Sequence, residues 1–239
     1  MAGPAPPRRL APAARWVGIA VLILVVAAAG LAVGVRYGPM TAAGRQFIES
    51  RVSGLKVGRL GTLRIEGLDG DVWRRFTLRR LSIADREGVW LDARGLSVAW
   101  APGALPRRRL HILSLAANSV TLARRPVLTT PTPPAPPPVS IDIDRAATRV
   151  ETAPALSGRR GAYEVRTALS VERAGGARGW VTAASALHLG DFLRAKFDVR
   201  RGGTFVVDAD AREAQGGALA GMAGLAADRP FRLAAHARG

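Results

Sequence analysis

Apolar and polar residues alternate along most of the chain after residue 57, in short runs separated by Gly, Asp and Pro. This period-two pattern predicts β-strands that have one apolar face and one polar face. In the first half of the chain it predicts strands at Thr62–Ile65, Arg75–Ala84, Val89–Trp100, Leu110–Leu115 and Val120–Arg124. The Asp and Gly residues at 69–71 and 85–88 predict hairpin turns between them.

The alternation is more regular after residue 139. Strands are predicted in VSIDIDR (139–145), AYEVRTALSVER (162–173) and FRLAAHARG (231–239), and a hairpin through Gly202-Gly203 is predicted within 192–213. In each segment, apolar residues occupy one parity and most charged residues the other. This pattern is typical of antiparallel strands with one solvated face.

The apolar residues change parity within the second predicted strand. Phe76 and Leu78 share one parity, whereas Leu81 and Ile83 share the other. We expect a β-bulge at residues 79–80, because one extra residue would return the second half of the strand to the same face.

An apolar sheet face has to pack against another layer. Beyond the N-terminal region, only residues 41–53, with Thr41 as N-cap, and a short run near 217–226 predict helices. Two mainly β architectures therefore remain open. Two sheets could pack as a sandwich, which periodicity alone favours, or one antiparallel sheet could curl into an open groove of the β-taco type that holds acyl chains. Each CH₂ group buried in such a groove would gain about 0.8 kcal/mol.

The N-terminal region contains an uncharged apolar segment, WVGIAVLILVVAAAGLAVGV, at residues 16–35. A helix of about 20 residues at ~1.5 Å per residue matches a hydrocarbon core of about 30 Å. We therefore predict a transmembrane signal anchor at residues 16–36, with a cleaved signal peptide as the alternative. The anchor includes Trp16, Leu22, Leu24, Leu31 and Val35.

The anchor places residues 1–15 in the cytoplasm as a basic head and the bulk of the chain in a bacterial periplasm, next to the inner membrane. A connector helix is predicted at residues 37–56 and a first β unit at 57–126. A proline-rich linker at 127–138, for which a polyproline II spacer is expected, precedes a second, truncated β unit at 139–239.

The formal net charge of +17 is carried almost wholly by arginine. Arginine clusters lie at residues 74–75, 79–80 and 107–109. Nucleic-acid binding is not expected, because no readout helix or base-stacking platform accompanies these clusters. Solvated strand faces are the simplest interpretation, and contact with anionic lipid headgroups is the alternative.

No residue pattern predicts catalysis, a metal or a cofactor. The chain has no cysteine, and His111, His188 and His236 are dispersed, without a second ligand at metal-binding spacing. Asp208 and Asp210 share a strand face that we interpret as solvated. The glycine-rich stretch at 217–224 lacks the Lys and Ser/Thr of a phosphate-binding loop, and predicts a turn around one helical turn.

The order and spacing of several short motifs resemble the N-terminal region of the TamB family, the inner-membrane subunits of the translocation and assembly module. The matching features are Gly67-Leu68-x-Gly70-Asp71, Phe76-Thr77-Leu78 leading into Asp85, Gly88-Val89-Trp90-Leu91, Trp100 followed by Pro102, Arg124-Arg125-Pro126, and GALAGMAGLAADRPFRL at 217–233. The resemblance covers essentially the whole chain.

This resemblance implies a non-enzymatic, periplasm-spanning β-groove of the AsmA-like, bridge-type lipid transfer superfamily. It also implies partnership with TamA, an outer-membrane barrel, and roles in phospholipid passage and outer-membrane protein assembly. Members of the family are several times longer, so we expect this chain to be a fragment, a truncated gene product or a short paralogue.

Strand parity selects eight candidate residues for a lipid-binding groove. They are Leu78, Leu91, Val165, Leu169, Phe197, Val199, Phe205 and Val207. The predicted partners are therefore phospholipid, the inner membrane and a TamA-like barrel. The alternative function is a scaffold that does not carry lipid and that binds outer-membrane protein strands through its exposed strand edges.

Overall fold

A computed structural model of the protein describes residues 38–57, 60–128, 139–222, 224–225 and 228–239. Ten strands form one open sheet in which the spatial order follows the chain order. The strands are β1 (Thr62–Asp71), β2 (Arg75–Asp85), β3 (Gly88–Ala101), β4 (Arg109–Leu122), β5 (Ser140–Thr152), β6 (Gly161–Val171), β7 (Ala177–Ser185), β8 (Phe192–Val199), β9 (Phe205–Glu213) and β10 (Phe231–Arg238). The helices are α1 (Ala42–Val52), α2 (Pro154–Ser157) and α3 (Ala218–Met222), with 3-10 turns at Gly38–Met40 and Pro102–Arg107.

The mainly β fold is confirmed, but the sheet is mixed rather than antiparallel. Strands β4 and β5 run parallel, with Arg109 beside Ser140 and Leu122 beside Thr152, while every other neighbouring pair is antiparallel. The long connection at residues 123–139 makes this possible, because parallel neighbours need a crossover of about a dozen residues or more. The two predicted β units are thus joined edge to edge, and the described strands do not form a two-sheet sandwich.

The apolar residues of β2 stay on one face, as expected. The predicted bulge at residues 79–80 is not what keeps them there. Pairing of β1 with β2 keeps one register, from Glu66 beside Arg80 to Leu68 beside Leu78. The irregularity lies in the neighbouring strands, where Gly67 and Gly95 flank the position of Arg79 with φ angles of 69° and 60°. These left-handed conformations, which glycine adopts without steric cost, keep the apolar residues on one side.

Helix α1 forms where the sequence predicts it. The Thr41 side chain accepts a hydrogen bond from the Gly44 amide at 3.0 Å, which is the expected N-cap interaction. The helix lies on the first three strands, because Ile48 and Val52 pack against the buried cluster of Ile65, Leu68, Leu78, Ala93 and Leu96.

The same segment also covers the outer edge of β1. The Glu49 carboxylate accepts from the Leu68 amide at 2.5 Å, and the Ser53 hydroxyl accepts from the Ile65 amide at 3.1 Å. Further along, the Leu63 amide donates to the Leu55 carbonyl at 2.9 Å. An edge whose backbone groups are satisfied in this way is protected against pairing with another strand.

Candidate functional site

Cross-strand pairing determines which predicted groove residues share a face, because side chains of directly paired residues point to the same side of a sheet. Val165 in β6 pairs with Ala183, Ala183 with Leu193, and Leu193 with Ala211. The row ends in β10, where Ala211 pairs with Leu233. This row therefore extends the face of Val165 across five strands.

Two further rows contain the other predicted residues of the second half. Leu169, Gly179, Phe197, Val207 and Ala237 form one row, and Val171, Ala177, Val199 and Phe205 form the next. Both rows lie on the face of Val165, since they begin at alternate residues of β6. The predicted parity of these strands is thus reproduced in the register of the structure.

The apolar face continues without interruption into the first half of the sheet. Leu81, Ala93, Val120, Val150 and Tyr163 form a row from β2 to β6 that crosses the parallel pair. Leu78 and Leu91 belong to the same packed cluster as Ala93. All eight predicted residues therefore share one face of one sheet.

The predicted residues differ in how far they are covered. Leu78 is only 5% exposed under α1, so it belongs to the core and is unavailable to a ligand. Leu91 packs against the same cluster, and Val165 packs against a second cluster near α3. Ile48 and Val52 of α1 pack against the cluster that contains Leu78, and strand parity alone does not show this cover.

The remaining part of the apolar face lies outside both packed clusters of the described residues. It comprises Leu169, Phe197, Val199, Phe205 and Val207, all predicted, together with Leu233, which sequence analysis did not select. We call this set the open apolar face. Val199 and Phe205 are each 38% exposed, and Leu233 is 41% exposed.

Phe197 has a specific position within the open apolar face. A Cβ atom built on Gly179, its neighbour in β7, would lie 3.2 Å from the tip of the Phe197 ring. The absence of a side chain at Gly179 therefore leaves room for the ring to lie across β7. Such aromatic–glycine pairs let a large apolar side chain cover exposed backbone.

Two large cavities adjoin the sheet, and no residue of the open apolar face lines either of them. One of about 710 Å³ lies between α1 and β1. The other, of about 680 Å³, is bordered by Trp180, Lys196, Asp208 and His236, which pair in one row on the polar side. Within the described residues, the open apolar face is a surface in which Val199, Phe205 and Leu233 are exposed and Leu169, Phe197 and Val207 are half-buried.

One end of the apolar face is closed by α2 and α3 around a buried carboxylate. Glu213 is 2% exposed and accepts hydrogen bonds from the Tyr163 hydroxyl at 3.0 Å and from the Leu219 and Ala220 amides at 2.7 Å. Burial first, and the Glu213 charge second, raise the pKa of the Tyr163 hydroxyl, so it remains protonated as a donor. We call these four residues the Glu213 cluster.

The glycine-rich stretch at 217–224 allows α3 to approach this cluster. A Cβ atom on Gly221 would lie 1.8 Å from the Ser157 carbonyl oxygen, and one on Gly217 would lie 2.0 Å from the Glu213 carboxyl carbon. Arg125 donates to the carbonyls of Gly221 and Met222 at 3.2 and 3.3 Å. The predicted helical turn is present, and its glycines serve close packing.

A second buried carboxylate joins three segments at the same end of the sheet. The Asp85 side chain is 1% exposed and meets the Arg124 guanidinium through both of its oxygens, at 2.5 and 2.8 Å. It also accepts from the amides of Val127 and Glu87 at 2.6 and 2.8 Å. The hydrogen bond from Arg124 is the largest of the effects that hold the pKa of Asp85 well below its ordinary value.

The three histidines each lie near one carboxylate. His111 is 3.0 Å from Asp144, His188 is 3.9 Å from Asp191, and His236 contacts Asp208. No group of three or more His, Cys, Asp or Glu side chains within the described residues is arranged to hold a metal ion.

The predicted membrane anchor lies outside the described residues, and so do Trp16, Leu22, Leu24, Leu31 and Val35. Among the residues that are described, no helix is long and apolar enough to span a membrane. The chain matches no protein-family model, no curated protein and no solved structure.

Proposed function

We propose that this protein binds the acyl chains of phospholipids on its open apolar face, beside a bacterial inner membrane in which residues 16–36 anchor it. The observation that carries this proposal is the run of apolar rows across β6–β10 that extends beyond both packed clusters. Large uncovered apolar patches on soluble domains are typical of sites that bind a partner, a ligand or a membrane. In keeping with the TamB resemblance, we propose that this binding contributes to phospholipid transfer to the outer membrane and to protein assembly there.

The chemistry of the open apolar face suits an acyl chain. Its side chains are aliphatic or phenyl groups and carry no hydrogen-bonding atoms, so they select for apolar surface rather than for a headgroup. An acyl chain that buries about ten CH₂ groups would gain roughly 8 kcal/mol before the cost of ordering it. That gain is relative to water, so it retains, without any specific polar contact, an acyl chain that has left the bilayer.

Site-specific photocrosslinking tests this proposal. Photoreactive residues at positions 197, 205 and 207 should capture phospholipid from membranes that contain the full chain. The matched controls are positions 166 and 208, which lie on the same strands as predicted residues but at the opposite parity. Equal labelling of both parities would reject the proposal.

One observation favours the scaffold as a second candidate. Strand β10 pairs with β9 alone among the described strands, and Gly239 and Phe205 exchange backbone hydrogen bonds at 2.7 and 3.0 Å. By the antiparallel alternation, the backbone groups of Arg232, Ala234, His236 and Arg238 point away from β9, where they can accept another strand. Replacing Ala234 by Pro would then abolish capture of unfolded polypeptide, while lipid crosslinking at position 207 would be retained.

A further inference from the structure

The hairpin turns at one end of the sheet are rich in arginine. Following the strand directions, the turns at residues 72–74, 102–108, 172–176 and 200–204 all lie at this end. Together they contain six arginines and one glutamate, a net charge of +5. We call this the arginine-rich end.

The hairpin turns at the opposite end are nearly neutral. Residues 86–87, 153–160, 186–191 and 214–230 together contain four arginines and three acidic residues, a net charge of +1. Other connections at this end carry Lys56, Arg124 and Arg125, which bring its described residues to +4, so the two ends differ in where their arginines lie rather than in total charge. The parallel pairing of β4 with β5 brings the four turns of the arginine-rich end together, because an antiparallel pair would have placed 172–176 and 200–204 at the other end.

The N-terminus of helix α1 lies at the arginine-rich end. Helix α1 runs antiparallel to β1, since Ser53 contacts Ile65, Glu49 contacts Leu68 and Arg45 lies 3.6 Å from Asp69. The first residues of α1 thus lie at the end of β1 that leads into the turn at 72–74. The apolar residues 16–35 precede this point closely in the sequence.

We propose that the turns at 72–74 and 102–108 dock onto the surface of an anionic phospholipid bilayer. Strands in a sheet rotate by about 20° relative to their neighbours, so only nearby turns can meet one flat surface, and these two are nearest to α1. Arg74, Arg107 and Arg108 are exposed, as is Leu105 at 40%. Arginines beside an exposed leucine combine attraction to anionic headgroups with an apolar group for the interface.

This surface is distinct from the open apolar face and has a different ligand chemistry. In the docked protein, the strands extend away from the bilayer surface. The open apolar face, in contrast, binds acyl chains along the sheet. A failure of one interaction therefore leaves the other standing, and the two tests use separate readouts.

The absence of cysteine from the chain permits a clean labelling experiment on the full-length protein in vesicles. In one variant, Gly103→Cys, the fluorophore is attached where an added side chain meets no atom within 4 Å. In a second variant, Val89→Cys, it is attached at a position whose native valine is 43% exposed. These positions flank opposite ends of β3, a strand of 14 residues, which at ~3.3 Å per residue separates them by about 45 Å. Energy transfer to a headgroup acceptor measures which end is near the bilayer.

In vesicles of phosphatidylcholine with phosphatidylglycerol, we expect strong transfer from position 103 and weak transfer from position 89. The transfer from position 103 should fall in phosphatidylcholine alone and in high salt, because surface charge drives docking. The Arg74→Gln/Arg107→Gln variant should lower the docked-to-undocked ratio about 25-fold, at roughly fivefold per arginine.

The matched control is Arg86→Gln/Arg160→Gln, which removes the same charge from exposed turns at the opposite end and should leave transfer unchanged. Equal transfer from both labels, or transfer that ignores anionic lipid and salt, would overturn the proposal. Tighter binding to duplex DNA than to the anionic vesicles would overturn it in favour of nucleic acid. Should the arginine variant misfold, as judged by circular dichroism, the lipid and salt dependence of the unaltered arginines still decides the question.

Discussion

At the scale of single residues, Asp85 joins parts of the chain that are distant in sequence. Its carboxylate is shared by Arg124 at the end of β4 and by Val127 in the connection that follows. Arg124 also donates to the Gly88 carbonyl at 2.9 Å, so the β2–β3 turn is held by the same interactions. Because the carboxylate is nearly inaccessible to solvent, removal of its charge would leave the Arg124 guanidinium without its main partner.

The lowered pKa of Asp85 predicts a loss of stability in acid. The unfolded carboxyl has its ordinary pKa near 3.8, and the folded value lies below it. The stabilisation is therefore fully present well above pH 3.8 and is lost progressively as the pH falls through this value toward the folded pKa. We expect Asp85→Asn to lower the unfolding temperature by several degrees at neutral pH and to flatten the dependence of stability on pH between about 5 and 3.

A suitable control is Asp69→Asn, since the Asp69 side chain is 75% exposed and lies 3.6 Å from Arg45. Exposed ion pairs contribute about 0–1 kcal/mol, so this variant should unfold almost as the original protein does. The measurement is thermal unfolding followed by circular dichroism over a pH series. If both variants showed the same pH profile, the assigned role of Asp85 would be wrong.

At the scale of elements, α3 is held over the end of the apolar face by the Glu213 cluster rather than by its own length. A helix of five residues is far too short to be stable alone. Its first amides are satisfied by the Glu213 carboxylate, and its apolar residue Leu219 packs with Tyr163 and Ala183. The attachment of α3 therefore depends on one carboxylate with two accepting oxygens.

We expect Glu213→Gln to destabilise the protein by about 2 kcal/mol. The amide group of glutamine would turn a donor toward one of the donors at Leu219, Ala220 or Tyr163, and an unsatisfied buried polar group costs about 1–3 kcal/mol. Urea denaturation measures the change. The control is Glu164→Gln in β6, whose carboxylate is 60% exposed and 3.7 Å from Arg149, and whose loss should cost less than about 1 kcal/mol.

The sequence predicted elements well where apolar and charged residues alternate strongly, as in β6, β8 and β9. It missed β7, because Ala177, Gly179 and Ala183 give its apolar parity little contrast, while Trp180 lies on the polar parity. It also divided β4 into two strands at the weakly patterned residues 116–119. Neither the Asp85 nor the Glu213 cluster was predicted, because the burial of each carboxylate depends on residues far away in the chain.

At the scale of the whole molecule, the parallel pairing of β4 and β5 decides how the two halves relate. Period-two alternation is the same for parallel and antiparallel neighbours when one face is solvated, so sequence patterning could not distinguish them. The pairing makes the apolar face continuous, as the row through Val120 and Val150 shows. It also places the turns at 72–74, 102–108, 172–176 and 200–204, which come from both halves, at one end.

The reach of the connection between the halves gives a prediction about this pairing. From Val127, held by Asp85, to Ser140, beside Arg109, the chain has thirteen Cα–Cα steps and a maximal reach of about 47 Å at ~3.6 Å each. To reach the start of β5, the connection has to return along the whole of β4, which is about 43 Å long at ~3.3 Å per residue. Deleting three residues, Pro136–Pro138, reduces the maximal reach to about 36 Å, which is less than that length.

We therefore expect this deletion to break either the β4–β5 pairing or the contact of Val127 with Asp85, since both cannot be kept. Hydrogen exchange should show loss of protection in residues 140–152 or at the Val127 amide. Replacement of the same three prolines by serine preserves the reach, so this control should retain protection at both places. Full protection in the deletion variant would mean that the two halves are not joined through β4 and β5, and the continuity of the apolar face across the sheet would fall with that pairing.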